Sequence, residues 1–165
     1  MISEIKLLVS CFDDEPIQRW LFPNLAIRTI ASTIWFHSLW TSAQKQNCIW
    51  KNKSSVAIWE SPQEMNLNKG ISFNTKFNFL TNELKKRKPK FPHWYLAAVA
   101  TERHNRRQSS GTSVLMPVIT KCDLDRVPAY LETSFPDSLK FYESLGFKLY
   151  DQFDCDSIPV WCLLR

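Results

Sequence analysis

The stretch Trp94-Tyr95-Leu96-Ala97-Ala98-Val99-Ala100-Thr101, with the polar loop and Ser110-Gly111-Thr112-Ser113-Val114-Leu115 that follow it, decides how this chain folds. Its first part is almost uninterruptedly apolar, the pattern of a central strand buried on both faces. From Gly111 to Leu124 the residues Val114, Leu115, Val118 and Ile119 recur at helical spacing, and Pro117 should bend that helix by removing a hydrogen bond. A strand, a loop rich in donors and a helix start make a general anion site. Free backbone N–H groups converge there, and the helix dipole favours negative charge. In Arg106-Arg107-Gln108-Ser109-Ser110-Gly111-Thr112, small residues allow close backbone approach and the arginines offer donors matched to phosphate oxygens. A pyrophosphate fits such a loop; on spacing alone, so does plain solvent.

Working outward, Val127 to Thr133 reads as a second strand. Ser138 to Leu145 reads as a short helix closed by Gly146 at its left-handed cap, and Phe147–Phe153 and Ile158–Leu164 as two final strands. On the N-terminal side, Ile5 to Val9 reads as an opening strand. Asp13-Asp14-Glu15-Pro16 then caps a short helix, Ile17 to Phe22, stopped near Pro23. Leu25 to about Gln46 reads as a longer helix with Ile27, Ile30, Ile34, Trp35 and Leu39 on its buried face. Cys48–Trp50 and Val56–Trp59 suggest a hairpin, and Phe73–Lys86 a further helix. The basic run Lys85 to Lys90 reads as a solvated loop.

The chain has 165 residues, about the size of one domain, and no linker divides it, so residues 1–165 are expected to fold as a unit. With 44% apolar and 22% charged residues it belongs among globular rather than disordered proteins. It has only three glycines (Gly70, Gly111, Gly146), too few for G-x-G-x-x-G or G-x-x-x-x-G-K-[ST], so any phosphate loop must be built mostly without glycine. A net charge of +5 favours anionic partners: nucleic acid, an acidic lipid surface or a small polyanionic cofactor. Five cysteines without a C-x-x-C read as buried thiols, and three lone histidines offer no metal-ligand spacing, so no metal is expected. The apolar patch near Met1 is too short for a signal peptide, and no apolar run approaches membrane length; the expectation is a cytoplasmic protein without a membrane partner.

Trp94 through Phe147 resembles the acetyl-CoA-binding half of the GNAT superfamily of acyl-CoA-dependent N-acyltransferases. Of that family's loop pattern Q/R-x-x-G-x-G/A, Arg106 matches the first position and Gly111 the last, while Ser109 replaces the middle glycine. Pro128-Ala129-Tyr130-Leu131-Glu132-Thr133-Ser134 resembles the next strand. Ser138-Leu139-Lys140-Phe141-Tyr142-Glu143-Ser144-Leu145-Gly146-Phe147 resembles N-x-x-F-Y-x-x-x-G-F, with Ser138 where Asn is usual. Asp13 to Pro16, Trp20 to Pro23 and Val56 to Trp59 also resemble the N-terminal half of one branch.

The resemblance implies an α/β (α+β) fold: a mixed, mostly antiparallel central sheet with splayed parallel strands 4 and 5 and helices on both faces. It implies acetyl-CoA as co-substrate, with pantetheine along the edge at Val99 and Thr101. The pyrophosphate would rest on Arg106, Arg107, Gln108, Ser109, Ser110, Gly111 and Thr112, with Ser138 nearby. Tyr142 would protonate the departing thiolate, and Glu132 is the candidate base for the amine, or else a structural acceptor. Asp13, Asp14 and Glu60 could attract a cationic amine, or could cap helices and face solvent. The implied acceptor is a primary amine on a small molecule or peptide, and a homodimer is compatible with the reading. Two other readings stand beside it: a non-catalytic acyl-CoA-binding protein of the same fold, and a basic nucleic-acid-binding module. The scattered tryptophans speak against the latter, because they do not interleave with basic residues.

Overall fold

The computed structural model describes residues 3–62, 72–106 and 109–165. Among these described residues, six helices and six strands follow one another as α1 (Ser3–Phe12), α2 (Pro16–Leu21), α3 (Leu25–Lys45), β1 (Ile49–Lys51), β2 (Ser55–Glu60), α4 (Thr75–Arg87), β3 (Trp94–Thr101), α5 (Ser110–Asp125), β4 (Ala129–Thr133), α6 (Pro136–Ser144), β5 (Lys148–Cys155) and β6 (Ile158–Leu164), with a 3-10 turn at Arg103–Asn105. The strands form one sheet in the order β1-β2-β3-β4-β6-β5, antiparallel throughout except for the parallel neighbours β3 and β4.

Three sequence-based expectations are corrected. Ile5 to Val9 is not a strand but lies within α1, which buries Ile5 and Leu8 completely. The spacing of three between them is helical, and a five-residue run with four apolar positions cannot by itself distinguish that period from alternation. The splayed pair is therefore the third and fourth strand of the chain. The second correction concerns α3, whose residues match the expected helix and whose Leu39 and Trp35 are buried and half-buried as expected, but whose three isoleucines face outward. Arg28, Ala31, Ser32, Phe36, Leu39, Trp40 and Ala43 turn inward, whereas Ile27, Ile30 and Ile34 are 57%, 62% and 52% exposed. Arg28 anchors that orientation. Its guanidinium reaches Asp13 Oδ1 at 2.8 Å and donates to the carbonyls of Phe22 and Pro23 at 2.8 and 3.2 Å, interactions available only if this side faces α2.

The third correction is to the basic run. Lys85, Lys86 and Arg87 form the last turn of α4, where they complement the negative end of the helix dipole. Arg87 pairs with Glu83 at 2.6 Å and stacks 4.3 Å over Phe153; Lys88 turns inward to Glu60 at 3.5 Å. Arg87 and Lys88 are thus matched within the fold, whereas Lys85, Lys86 and Lys90 are exposed, as a solvated run would be.

The core lies on both sides of the sheet. β2 is buried at every position, whereas β3 alternates, with Tyr95, Ala97, Val99 and Thr101 left half-buried. Along β2, Ser55 meets Thr101 beneath the start of α5, while Glu60, an odd number of residues on, turns the opposite way, toward α2 and α4. Trp59, Ile58, Leu115, Ile119, Leu131 and Phe147 are among the fully buried side chains, each contributing about 1.5–3 kcal/mol of transfer free energy. Gly146 ends α6 at φ +87°, as expected of a left-handed cap. None of the five cysteines is in a disulfide. Among the described residues, no helix is long and apolar enough to cross a membrane.

Candidate active site

β3 and β4 pair only at Trp94 with Ala129 and Tyr95 with Tyr130. Beyond that point β3 continues to Thr101 and β4 to Thr133 without touching, so a gap opens in the middle of the sheet. A bulge begins the divergence: Ile58 lies opposite Ala98, yet the next residue, Trp59, lies opposite Leu96. The Glu102 N–H donates to Ser54 O at 2.8 Å, which sets the phase of the β2–β3 ladder. By the alternation of antiparallel bonding, Val99 and Thr101 turn their backbone groups away from β2, into the gap. Among the described residues, the Thr101 carbonyl receives contacts from Cys11 Sγ and Arg106 Nε, both at 3.4 Å.

At the mouth of the gap stands the N-terminus of α5. The Ser113 N–H bonds to Ser109 O at 3.0 Å and opens the helical ladder, so the N–H groups of Ser110, Gly111 and Thr112 lie ahead of it, without partners inside the helix. Ser109 holds φ 60°, ψ 5°, the left-handed conformation in which glycine is free of strain. A serine there costs about 1–2 kcal/mol. Gly111 has ordinary φ and is needed for space: a Cβ on it would lie 3.1 Å from Thr101 Oγ1 and 3.7 Å from Phe141 Cζ. Its bareness lets β3, α5 and α6 converge at one point. Asn52, which the sequence reading passed over, braces this helix start, donating to Ser110 O at 3.1 Å and Ser113 Oγ at 2.7 Å. Arg106 is exposed beside it, and Arg107 and Gln108 lie outside the described residues.

Ser138 is turned inward. Its hydroxyl donates to Phe135 O at 2.7 Å and lies 3.0 Å from Thr133 Oγ1, tying the start of α6 to the end of β4. One turn later Tyr142 is 8% exposed, its ring against Phe141 and Phe147. Burial, and then the negative charge of Glu15, push its phenol above the usual tyrosine range, so it stays protonated. Glu15 was expected to cap α2; it makes no capping bond. Its carboxylate accepts from Ser134 Oγ at 3.1 Å, at the end of β4, and burial raises its pKa. No local signal marks it, because its partners come from the far end of the chain.

Asp13 and Asp14 neither cap a helix nor stand ready for a ligand. Asp13 holds Arg28, and Asp14 bridges Arg19 at 2.5 Å and Arg103 at 2.6 Å. Glu60 and Glu132 instead come together in a pocket of about 350 Å³ framed by α2, α3, α4 and the sheet, with Tyr95 and Lys88 between them. Burial raises the Glu132 pKa, against the opposing pull of the Tyr95 hydroxyl and the Lys88 charge. Among the described residues, no group of three His, Cys, Asp or Glu side chains could hold a metal ion.

A sheet parted between two parallel strands, with a helix N-terminus at the opening, matches solved acetyltransferases over nearly the whole chain. One is a histone acetyltransferase HPA2-related acetyltransferase from Corynebacterium glutamicum: TM-score 0.68, 21% identity, covering 98% of this chain and 88% of that one. The chain has the GNAT fold. An N-acetyltransferase from Staphylococcus aureus Mu50 superposes with TM-score 0.63 and 16% identity, covering 98% and 92% of the two chains. The C-terminal condensation domain of Ebony, solved with β-alanyl-dopamine, superposes with TM-score 0.67 and 11% identity, covering 98% and 91%. No protein-family model matches the sequence. These neighbours include acetyltransferases and a condensation domain, so function must be argued from the site.

Proposed function

We propose that residues 1–165 form a single N-acetyltransferase domain that moves the acetyl group of acetyl-CoA to a primary amine by direct attack. The observation that carries this reading is the divergence of β3 and β4 beyond a two-residue pairing, with the α5 N-terminus at its mouth. The backbone edge at Val99 and Thr101 suits an extended amide-bearing arm. The N–H groups of Ser110, Gly111 and Thr112 suit a pyrophosphate, with Ser109 shaping the turn and Arg106 beside it; Arg107 and Gln108, which precede Ser109 in sequence, complete the loop assigned to this role. Ser138 supports this site by fixing the β4–α6 corner rather than by reaching toward the ligand.

In the reaction, Glu132 takes a proton from the bound ammonium, directly or through one water. The raised pKa of this carboxylate brings it closer to the working range of a general base. The neutral nitrogen attacks the thioester carbonyl, the C–N bond forms and the C–S bond breaks. Tyr142 gives its proton to the departing sulfur, and the second proton released by the nitrogen restores the phenol through solvent. The products are an N-acetyl amide and the free thiol.

The test has two stages. Acetyl-CoA at ~100 times its Kd should add about 2.7 kcal/mol, a rise of roughly 5–10 °C in Tm for a chain of this size. Thiol release should then follow on adding an amine. Stabilisation by a single-stranded oligonucleotide but not by acetyl-CoA would overturn the reading, and binding without thiol release for any amine would reduce it to an acyl-CoA-binding protein.

A further inference from the structure

We infer that the acceptor is a monoamine with an apolar, aromatic-sized body, its nitrogen held at Glu60 and Glu132 and its body lodged between α2, α3 and α4. This rests on the transfer reaction proposed above and names its substrate class. The walls of the pocket are aromatic: Phe22 meets Phe73 edge-to-face at 5.6 Å, Phe73 meets Phe77 at 5.1 Å, and Phe77 meets Trp35 at 5.3 Å, with Leu21 and Leu80 beside them. Such walls offer a guest dispersion and ring contacts but few hydrogen bonds. A volume of about 350 Å³ is at the small end of ligand pockets and fits a compact molecule, not a folded protein segment.

The floor has the opposite character. Glu60 is 3% exposed, and Glu132 lies two residues before Ser134 on the strand that borders the gap. Among the described residues Lys88 is set beside them, 3.5 Å from Glu60 and 3.8 Å over the Tyr95 ring; Lys85 lies at the exposed rim. Two carboxylates on one buried floor are chemically complementary to an ammonium-bearing guest, and accept neither an anion nor a further apolar group there as well as they accept a cation. The position selects further. An amine nitrogen beside Glu132 is next to the gap where the thioester would lie, so the attacking atom and the anchored atom are the same. A second ammonium, as in a polyamine, would have to lie among the aromatic walls without a carboxylate partner. An α-carboxylate, as in a free amino acid, would face Glu60 and Glu132 at close range. Both are disfavoured.

The experiment compares phenethylamine and tryptamine with spermidine, free tryptophan and a lysine-containing peptide, by thiol release at saturating acetyl-CoA and by calorimetric binding without acetyl-CoA. Expected is a kcat/KM for the two aromatic monoamines at least ~30-fold above the other three, each decade of which corresponds to about 1.4 kcal/mol of discrimination. Glu60→Gln should raise the amine KM about tenfold with kcat little changed and acetyl-CoA affinity intact. Phe73→Ala, at a half-buried wall position, should do the same for the aromatic amines while sparing stability. If acetyl-CoA binds but spermidine or the peptide is preferred, or the aromatic amines do not bind at all, this inference is overturned and the transfer reaction stands. If acetyl-CoA does not bind, the transfer reaction fails, and the calorimetric arm still decides whether the pocket takes aromatic amines.

Discussion

Replacing Tyr142 by Phe separates the chemistry assigned to its hydroxyl from the packing of its ring. The ring is 8% exposed, with centroids 5.3 Å from Phe141 and 5.9 Å from Phe147, contacts that phenylalanine keeps. Among the described residues the hydroxyl takes part in no protein hydrogen bond; what bears on it is burial and the charge of Glu15. Removing it leaves no donor or acceptor newly orphaned, so the stability change should stay within about 0.5 kcal/mol, as for substitutions outside the strongly destabilising classes. For a chain of this size that is a Tm shift of at most ~2 °C. Loss of a positioned general acid should cost roughly 10²–10⁴ in turnover. The assay is thiol release at saturating acetyl-CoA and amine, with acetyl-CoA affinity by calorimetry and melting temperature from the same preparations. The reasoning is refuted if turnover stays within twofold of the parent. It is equally refuted if turnover falls only in step with acetyl-CoA affinity, or if the Tm drops by more than ~5 °C, since either would make the phenol structural.

Three more outcomes are expected. Burial raises the Glu132 pKa, so the stability tied to its protonated form is complete below the ordinary carboxylate pKa near 4.5 and is lost as pH rises through the folded value. Glu132→Gln should accordingly exceed the parent in urea-unfolding free energy at pH 8, with the difference shrinking toward pH 4, while its turnover falls; a variant less stable at pH 8 would contradict the assignment. At Ser109, φ 60° tolerates glycine and resists β-branching, so Ser109→Gly should leave acetyl-CoA KM equal or lower and Ser109→Val should raise it several-fold in steady-state kinetics. Gly146→Ala forces a Cβ into the left-handed region and to 3.1 Å from Arg165 Nε, which should cost about 1–2 kcal/mol in chemical denaturation, with turnover otherwise retained.

The second half of the chain was legible because its signals are local. Strand β3, the loop, α5, β4 and the α6–Gly146 turn each announce themselves by period, cap or breaker within a dozen residues, and α5 starts within a residue of where its spacing places it. The first half was less so. Ile5 to Val9 carries four apolar residues that suit either period, and only contact with α3 and β3 makes it helical. In α3 the period was readable but its phase was not: three isoleucines look like a core face, and the buried Arg28 decides otherwise.

The order of elements, the helix start able to take a phosphate and the scarcity of glycine around it belong to the sequence, since backbone propensity and capping act over a few residues. The site itself belongs to the tertiary structure. Glu15 meets Ser134 across 119 residues, and the aromatic pocket draws its walls from α2, α3 and α4 and its carboxylates from β2 and β4. Apolar burial, which is non-directional, brings those segments together, and no short-range pattern records which charges will end up sharing the space between them.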